Sequence, residues 1–285
     1  MFELLASLPS LNVFEYSVVD NFFSMTVASM GAAAIFFFLA RTSVAPKYRP
    51  ALMVSGIVVA IACYHYFMIR QSWGGAFTFS GGEYVPSGKG FNDFYRYADW
   101  ILTVPLLMVE LVLVMNLEKG KSRTMLTKLV IAAALMIGLG YPGEIIDYAE
   151  GYTARIVWGV LSSIPFFYIL YVLWFELTKA IESQPPQARR LLEVGRLVIL
   201  VTWAVYPIAY ALGGHALLYE EGSAGWLSGS GLVAGEQIAY AVADVTAKAG
   251  FGLLTFFIAR AKSDAEGWYE SAPSNQQVAA SAPAS

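Results

Sequence analysis

Apolar runs long enough to cross a bilayer recur seven times along this chain, near residues 19–41, 50–69, 93–117, 124–143, 153–178, 193–213 and 232–260. A hydrocarbon core roughly 30 Å thick needs about 20 mostly apolar helical residues per crossing, and each run meets that length. The breaks between runs carry nearly all the loop-type residues. The pattern predicts an all-α membrane protein, a bundle of seven transmembrane helices. Residues 19–262 form the bundle, 1–18 an extracellular lead-in and 263–285 a small, polar, disordered cytoplasmic tail. One connection is long enough for structure of its own: AFTFSGGEYV reads as two short strands around Gly81-Gly82, a β-hairpin between the second and third helices.

Composition agrees, since 57% of the 285 residues are hydrophobic and only 14% charged. The basic residues then set orientation, because Lys and Arg are retained on the cytoplasmic side. Alternate connections hold Arg41, Lys47, Arg49; Lys119, Lys121, Arg123, Lys128; Lys179, Arg189, Arg190, Arg196; and, after the last run, Arg260 and Lys262. The opposite face holds only Arg70, Lys89 and Arg155, which places the N-terminus outside. The opening MFELLASLPS lacks a basic n-region and reads as an amphipathic lead-in, not as an ordinary secretory signal. Cys63 is the sole cysteine, so the chain has no internal disulfide and no cysteine-rich metal site; it reads as a small buried side chain, and no metal is expected.

Ionisable residues at mid-membrane cost several kcal/mol unless paired or hydrated, so each marks a candidate functional site. The third run contains Arg96, Asp99 and Glu110, and the seventh contains Asp244 and Lys248. Asp244 and Lys248 are four residues apart, on one helix face and one turn from each other. Asp99 and Glu110 are eleven apart, which returns to nearly the same face after a rise of about 16 Å. Thr103 lies between them, one turn from Asp99, where its hydroxyl can reach that carboxylate. Arg96 and the expected cation favour an ionised Asp99, whereas Glu110 among Leu, Met and Val is favoured neutral. One is set to accept a proton and the other to give one. Lys248 admits two readings at this point: a structural ion pair with Asp244, or a desolvated amine that condenses with a carbonyl. Trp100, Trp203, Tyr206 and Tyr240, from three different runs, could wall a long conjugated ligand, and the aromatic supply favours the second reading.

At these residues the chain resembles the microbial rhodopsins. RYADWILTVPLL in the third run, WAVYP in the sixth and DVTAKAGFG in the seventh match that family's signatures in order and spacing. The resemblance implies all-trans retinal on Lys248 as a protonated Schiff base, with Asp99 and Asp244 as counterions and Asp99 as primary proton acceptor. Asp99, Thr103 and Glu110 are similar to the set found in the proton pumps of the proteorhodopsin and xanthorhodopsin groups, which makes Glu110 the cytoplasmic donor. Sodium pumps of the family carry Asn and Gln at the first and third of these positions, and chloride pumps lack the acidic acceptor. The function implied is light-driven outward proton pumping by an ion transporter, not an enzyme, in a bacterial inner membrane. A sensory photoreceptor is the alternative, disfavoured by Glu110 and by the lack of a signalling domain in the short tail.

The resemblance assigns further roles. His65 is expected to hydrogen-bond the acceptor carboxylate, and Tyr206 and Tyr66 to bond Asp244 and its network. Leu107 stands at the colour-tuning position in its green-absorbing form, and Val104 replaces a threonine of haloarchaeal pumps. Trp100, Met136, Gly140, Ser162, Phe166, Trp203 and Pro207 fall on retinal-pocket positions. Glu236 aligns with a proton-release carboxylate whose second member has no clear counterpart here, so Arg96 is the better candidate for passing the proton outward. Gly159 follows Trp158 where many relatives place a bulky tryptophan, and two readings stand open: an opening for a carotenoid antenna, or a glycine for close helix packing. The partners implied are the lipid bilayer and copies of the same chain in rings of five or three, with no nucleic acid.

Overall fold

The computed structural model of the chain describes residues 8–92, 94–145, 152–212 and 229–271. Seven helical spans long and apolar enough to cross a membrane run through them. They are α1 (Val13–Ala40), α2 (Arg49–Ala76), α3 (Phe94–Met115) and α4 (Lys119–Ile145), followed by three more spans, two of them composite. The fifth joins α5 (Tyr152–Tyr171) through a π-helical stretch, Val172–Glu176, to α6 (Thr178–Glu182). The sixth is α7 (Pro186–Leu212). The seventh joins α8 (Gly229–Asp244) through a π-helical turn, Val245–Gly250, to α9 (Phe251–Ala265), and α10 (Trp268–Ser271) follows.

Helices suit a bilayer because every backbone N–H and C=O is satisfied within the segment, and for the same reason they continue past the apolar runs. Thus α1 begins at Val13, not near residue 19, because Asn12 opens it with a capping box. The Glu15 amide donates to Asn12 Oδ1 at 2.9 Å and the Asn12 amide to Glu15 Oε2 at 3.0 Å. Of the segment expected as a tail, residues 263–271 are described. Residues 263–265 end α9, a turn at Glu266-Gly267 leads into α10, and the segment is stitched to the loop between α1 and α2: the Ala45 amide donates to Ser263 Oγ, and Tyr269 Oη donates to the Ser43 carbonyl. The lead-in before residue 8 and the tail beyond residue 271 lie outside the described residues.

The hairpin is present. β1 (Phe77–Ser80) pairs antiparallel with β2 (Glu83–Pro86), in register from Phe77 opposite Pro86 to Ser80 opposite Glu83. The two-residue turn is Gly81-Gly82 with φ of 66° and 93°, the left-handed backbone that a tight hairpin turn of this hand requires. It is anchored to the start of α1, where Leu11 bridges Tyr84 and the Tyr16 ring stacks on Tyr84. Arg70 makes two 2.8 Å bonds to Asp20, tying α2 to α1 at this hairpin end of the bundle.

The third and seventh spans are the most deeply buried of the seven, while the others turn much of their apolar surface outward. The two helices that carry the mid-membrane charges therefore pack at the centre of the bundle.

Candidate functional site

Small residues surround Lys248 along its own helix, with Ala243, Ala247, Ala249 and Gly250 beside it, so neighbouring helices approach closely. The π-helical turn presents the lysine to α3. Lys248, Asp99 and Asp244 are all buried, at 2%, 1% and 0% exposure. The Lys248 ammonium donates to Asp99 Oδ2 and stands 3.0 Å from Asp244 Oδ1. Both carboxylates named from the sequence thus meet the one cation, and the reading of Lys248 as paired with Asp244 alone is incomplete.

The two carboxylates differ in their remaining partners. Asp244 accepts from Tyr206 Oη at 2.5 Å, from Tyr66 Oη at 2.8 Å and, more weakly, from the Trp100 indole at 3.3 and 3.4 Å. Tyr66 and Tyr206 stand as the sequence expected. Asp99 is left open: among the described residues no group hydrogen-bonds its Oδ1. His65 Nδ1 is 3.7 Å from that oxygen, beyond hydrogen-bond range, and instead lies 3.1 Å from the Ile61 carbonyl. Because a carbonyl only accepts, Nδ1 is the donor in that contact. The expected His65 bond to Asp99 is therefore corrected to proximity without a bond. Thr103 departs similarly, since its hydroxyl donates to the Asp99 backbone carbonyl at 2.9 Å and not to the carboxylate. A helical threonine readily turns its oxygen onto the carbonyl four residues back.

Towards the hairpin end, Arg96 is buried and bonds Gln237 Oε1, with its guanidinium 4.9 Å from the Tyr240 ring centroid. Gln237 escaped the sequence reading because it is uncharged and sits beside the more conspicuous Glu236, which is half-buried. Towards the other end, Glu110 is fully buried. Ser55 from α2 and Thr255 from α9 are the polar side chains that reach its carboxyl, though neither closes to a full hydrogen bond. Ser55 donates to the Ala51 carbonyl instead.

A cavity of about 300 Å³ reaches Lys248 and Asp244. Trp100, Val104, Leu107, Met136, Gly140, Gly159, Ser162, Phe166, Trp203, Tyr206 and Pro207 all line it. Tyr97, Ile156, Val160, Tyr210 and Ala247 complete the walls. Its size lies at the lower end of small-molecule sites, and its lining is mainly aromatic and aliphatic. Gly159 is not an empty notch: a Cβ there would come within 2.8 Å of Tyr210 Cε1, so the tyrosine ring lies against the glycine. Ile156 and Val160, on either side, are exposed on the outer surface of the bundle.

Fold and site together define a multi-pass membrane protein that buries a lysine between two carboxylates, in the wall of an apolar, aromatic-lined cavity. Residues 18–262 match the family described as bacteriorhodopsin-like protein, and the chain belongs to that family. It is 32% identical to bacteriorhodopsin of Halobacterium salinarum over 236 residues, covering 81% of this chain and 80% of the relative. It is 29% identical to a green-light absorbing proteorhodopsin of a gamma-proteobacterium over 250 residues, covering 87% and 88% respectively. Among solved structures it resembles xanthorhodopsin, described as a light-driven ion pump with dual chromophore. That match has a TM-score of 0.84 and 49% identity, and covers 91% of this chain and 99% of xanthorhodopsin.

Proposed function

We propose that this protein is a light-driven outward proton pump with all-trans retinal carried on Lys248, embedded in a bacterial inner membrane with the hairpin end outside. The observation that carries the reading is the asymmetry of three buried carboxyls: Asp244 saturated with donors, Asp99 open at Oδ1, and Glu110 apart from any cation. The cavity suits retinal in being apolar along its walls, lined by aromatic rings from several spans and bordered by the lysine amine. When bound, retinal supplies light absorption and a change of shape that re-aims the proton at Lys248 Nζ.

The chain's own groups do the rest. Asp99 takes the proton, since Oδ2 already faces Nζ and Oδ1 has free lone pairs. Asp244, with Tyr66, Tyr206 and Trp100 holding its oxygens, remains as the fixed negative partner. Burying an unpaired carboxylate is expensive, so Glu110 holds its proton at rest and returns it to Lys248 from the opposite side. Arg96 and Gln237, beyond Asp99, lead the departing proton towards the hairpin end. The excess of basic residues at the other end supports that direction.

Within the same proposal, Gly159 is read as the opening for a carotenoid antenna. Support comes from its place in the cavity wall between two exposed residues and from the dual chromophore named for xanthorhodopsin.

The deciding experiment illuminates an unbuffered suspension of cells expressing the protein with retinal, in sodium-free salt, with and without a protonophore. Acidification abolished by the protonophore is expected. A coloured protein with no pH change would point to a sensory photoreceptor instead.

A further inference from the structure

One buried cation has no part in the scheme above. Lys262, in the last turn of α9, is 5% exposed, although the sequence counted it among loop charges. Its ammonium donates to the Val114 carbonyl at 3.1 Å and the Met115 carbonyl at 2.7 Å, the last two of α3.

Helix C-termini leave carbonyls without intrahelical partners and carry the negative end of the helix dipole. α3 ends as Asn116 enters the left-handed region at φ 50°, and the Asn116 amide closes onto the Leu113 carbonyl at 3.2 Å. The next two carbonyls are closed by Lys262. Capping of this helix is thus shared between its own chain and the seventh span. The seventh span meets α3 at successive levels: Gln237 at Arg96, Lys248 at Asp99, Thr255 at Glu110, and Lys262 at the terminus. Tyr48 lays its ring 5.1 Å from the Lys262 ammonium and donates to Glu266 Oε1 at 2.6 Å, and Lys47 pairs with Glu266 at 2.8 Å.

We propose that Lys262 is a positioning residue for proton return by Glu110: its cap keeps the last turn of α3 wound and closed between Glu110 and the tail-end medium. The proposal rests on the reading of Glu110 as proton donor. Met115 is five residues beyond Glu110, a rise of about 7.5 Å, so unwinding one turn brings water to the carboxyl. Without the ammonium, two buried carbonyls lose their donor, and hydration of that turn is the readiest relief. Hydrated in this way, Glu110 loses its proton to the medium at rest, and Lys248 recovers its proton from bulk water.

Flash spectroscopy of the retinal-loaded protein separates proton loss from Lys248 and proton return to it. The return rate of the unaltered protein should change less than about twofold across three pH units. In K262M it should fall roughly tenfold per pH unit, as for uptake from bulk, while the loss step stays within about twofold of the unaltered protein. The infrared carbonyl band of a protonated carboxyl that E110Q abolishes should also be absent at rest from K262M, and K262R should restore both properties. A flat pH profile with an intact band in K262M overturns the proposal. If K262M forms no pigment, K262Q is read by the same two measurements, and a flat profile there overturns it equally. If E110Q leaves the return step unchanged, the donor reading itself fails, a result distinct from any given by the Lys262 variants.

Discussion

Tyr66 and Asp244 lie 178 residues apart in sequence, yet Tyr66 Oη donates to Asp244 Oδ2 at 2.8 Å while also reaching the Tyr240 carbonyl at 3.1 Å. One phenol thereby ties the second span to the seventh directly beside the lysine. In Tyr66→Phe, Asp244 Oδ2 keeps only the long Trp100 contact of 3.4 Å. A buried charged acceptor losing a partner should cost about 1.5–3 kcal/mol, seen as a lower midpoint of thermal bleaching, with pigment still formed at room temperature.

Removing the amine should abolish the pigment: Lys248→Ala is expected to show no retinal-dependent visible absorption. Asp99→Asn should keep colour and lose light-driven acidification. If Asp99→Asn still acidified the medium on illumination, the acceptor would have to be sought elsewhere.

Glu110→Gln should retain colour and slow the return of the proton to Lys248, because Ser55 and Thr255 cannot supply one at neutral pH. Added azide, a small mobile acid, should restore much of the rate. The measurement is the decay of the deprotonated form after a flash, with and without azide.

At the tail end, partial burial opposes ionisation of Glu266, but the Lys47 ammonium and Tyr48 hydroxyl outweigh it and hold this carboxyl below its ordinary range. Its contribution to holding residues 263–271 against the α1–α2 loop is therefore complete above the ordinary carboxylate range and lost as pH falls through the lower folded value. Amide hydrogen exchange in that segment, compared with neighbouring α9 and corrected for intrinsic rate, should accelerate as pH falls below the ordinary carboxylate range. Glu266→Gln should exchange faster already at neutral pH and lose this pH dependence.

The antenna reading has its own test. Gly159→Trp must displace the Tyr210 ring, which already lies against the glycine. The variant should keep retinal absorption but lose any carotenoid band from the excitation spectrum of proton pumping. An unchanged carotenoid band would assign Gly159 to helix packing alone.

The seven spans were legible because a bilayer forces long uncharged runs, and the hairpin because Gly-Gly between β-formers has few other uses. The pocket residues were legible through resemblance, and the cavity gathers them. Finer geometry was not. Nothing in the spacing of Asp99 and Thr103 tells whether the hydroxyl turns to a carboxylate or to the carbonyl four residues back. Gln237 carries no charge to flag it, and Lys262 sits close enough to the end of its apolar run to pass for a loop residue. Capping by a distant helix leaves no local mark, which is why the partners of Val114 and Met115 could not be read from their own segment.

The π-helical turn at Val245–Gly250 has a consequence for how the seventh span tolerates change. A wide turn holds more residues than an α-helical one, so it sets the phase of everything that follows it. The fifteen residues of α9 inherit their facing from this turn. Deleting one residue inside it would act less as a local defect than as a rotation of about 100°, swinging Thr255 and Lys262 together away from α3. The position of a donor's neighbour and of a helix cap, several turns away, is thus encoded in the winding around the lysine itself.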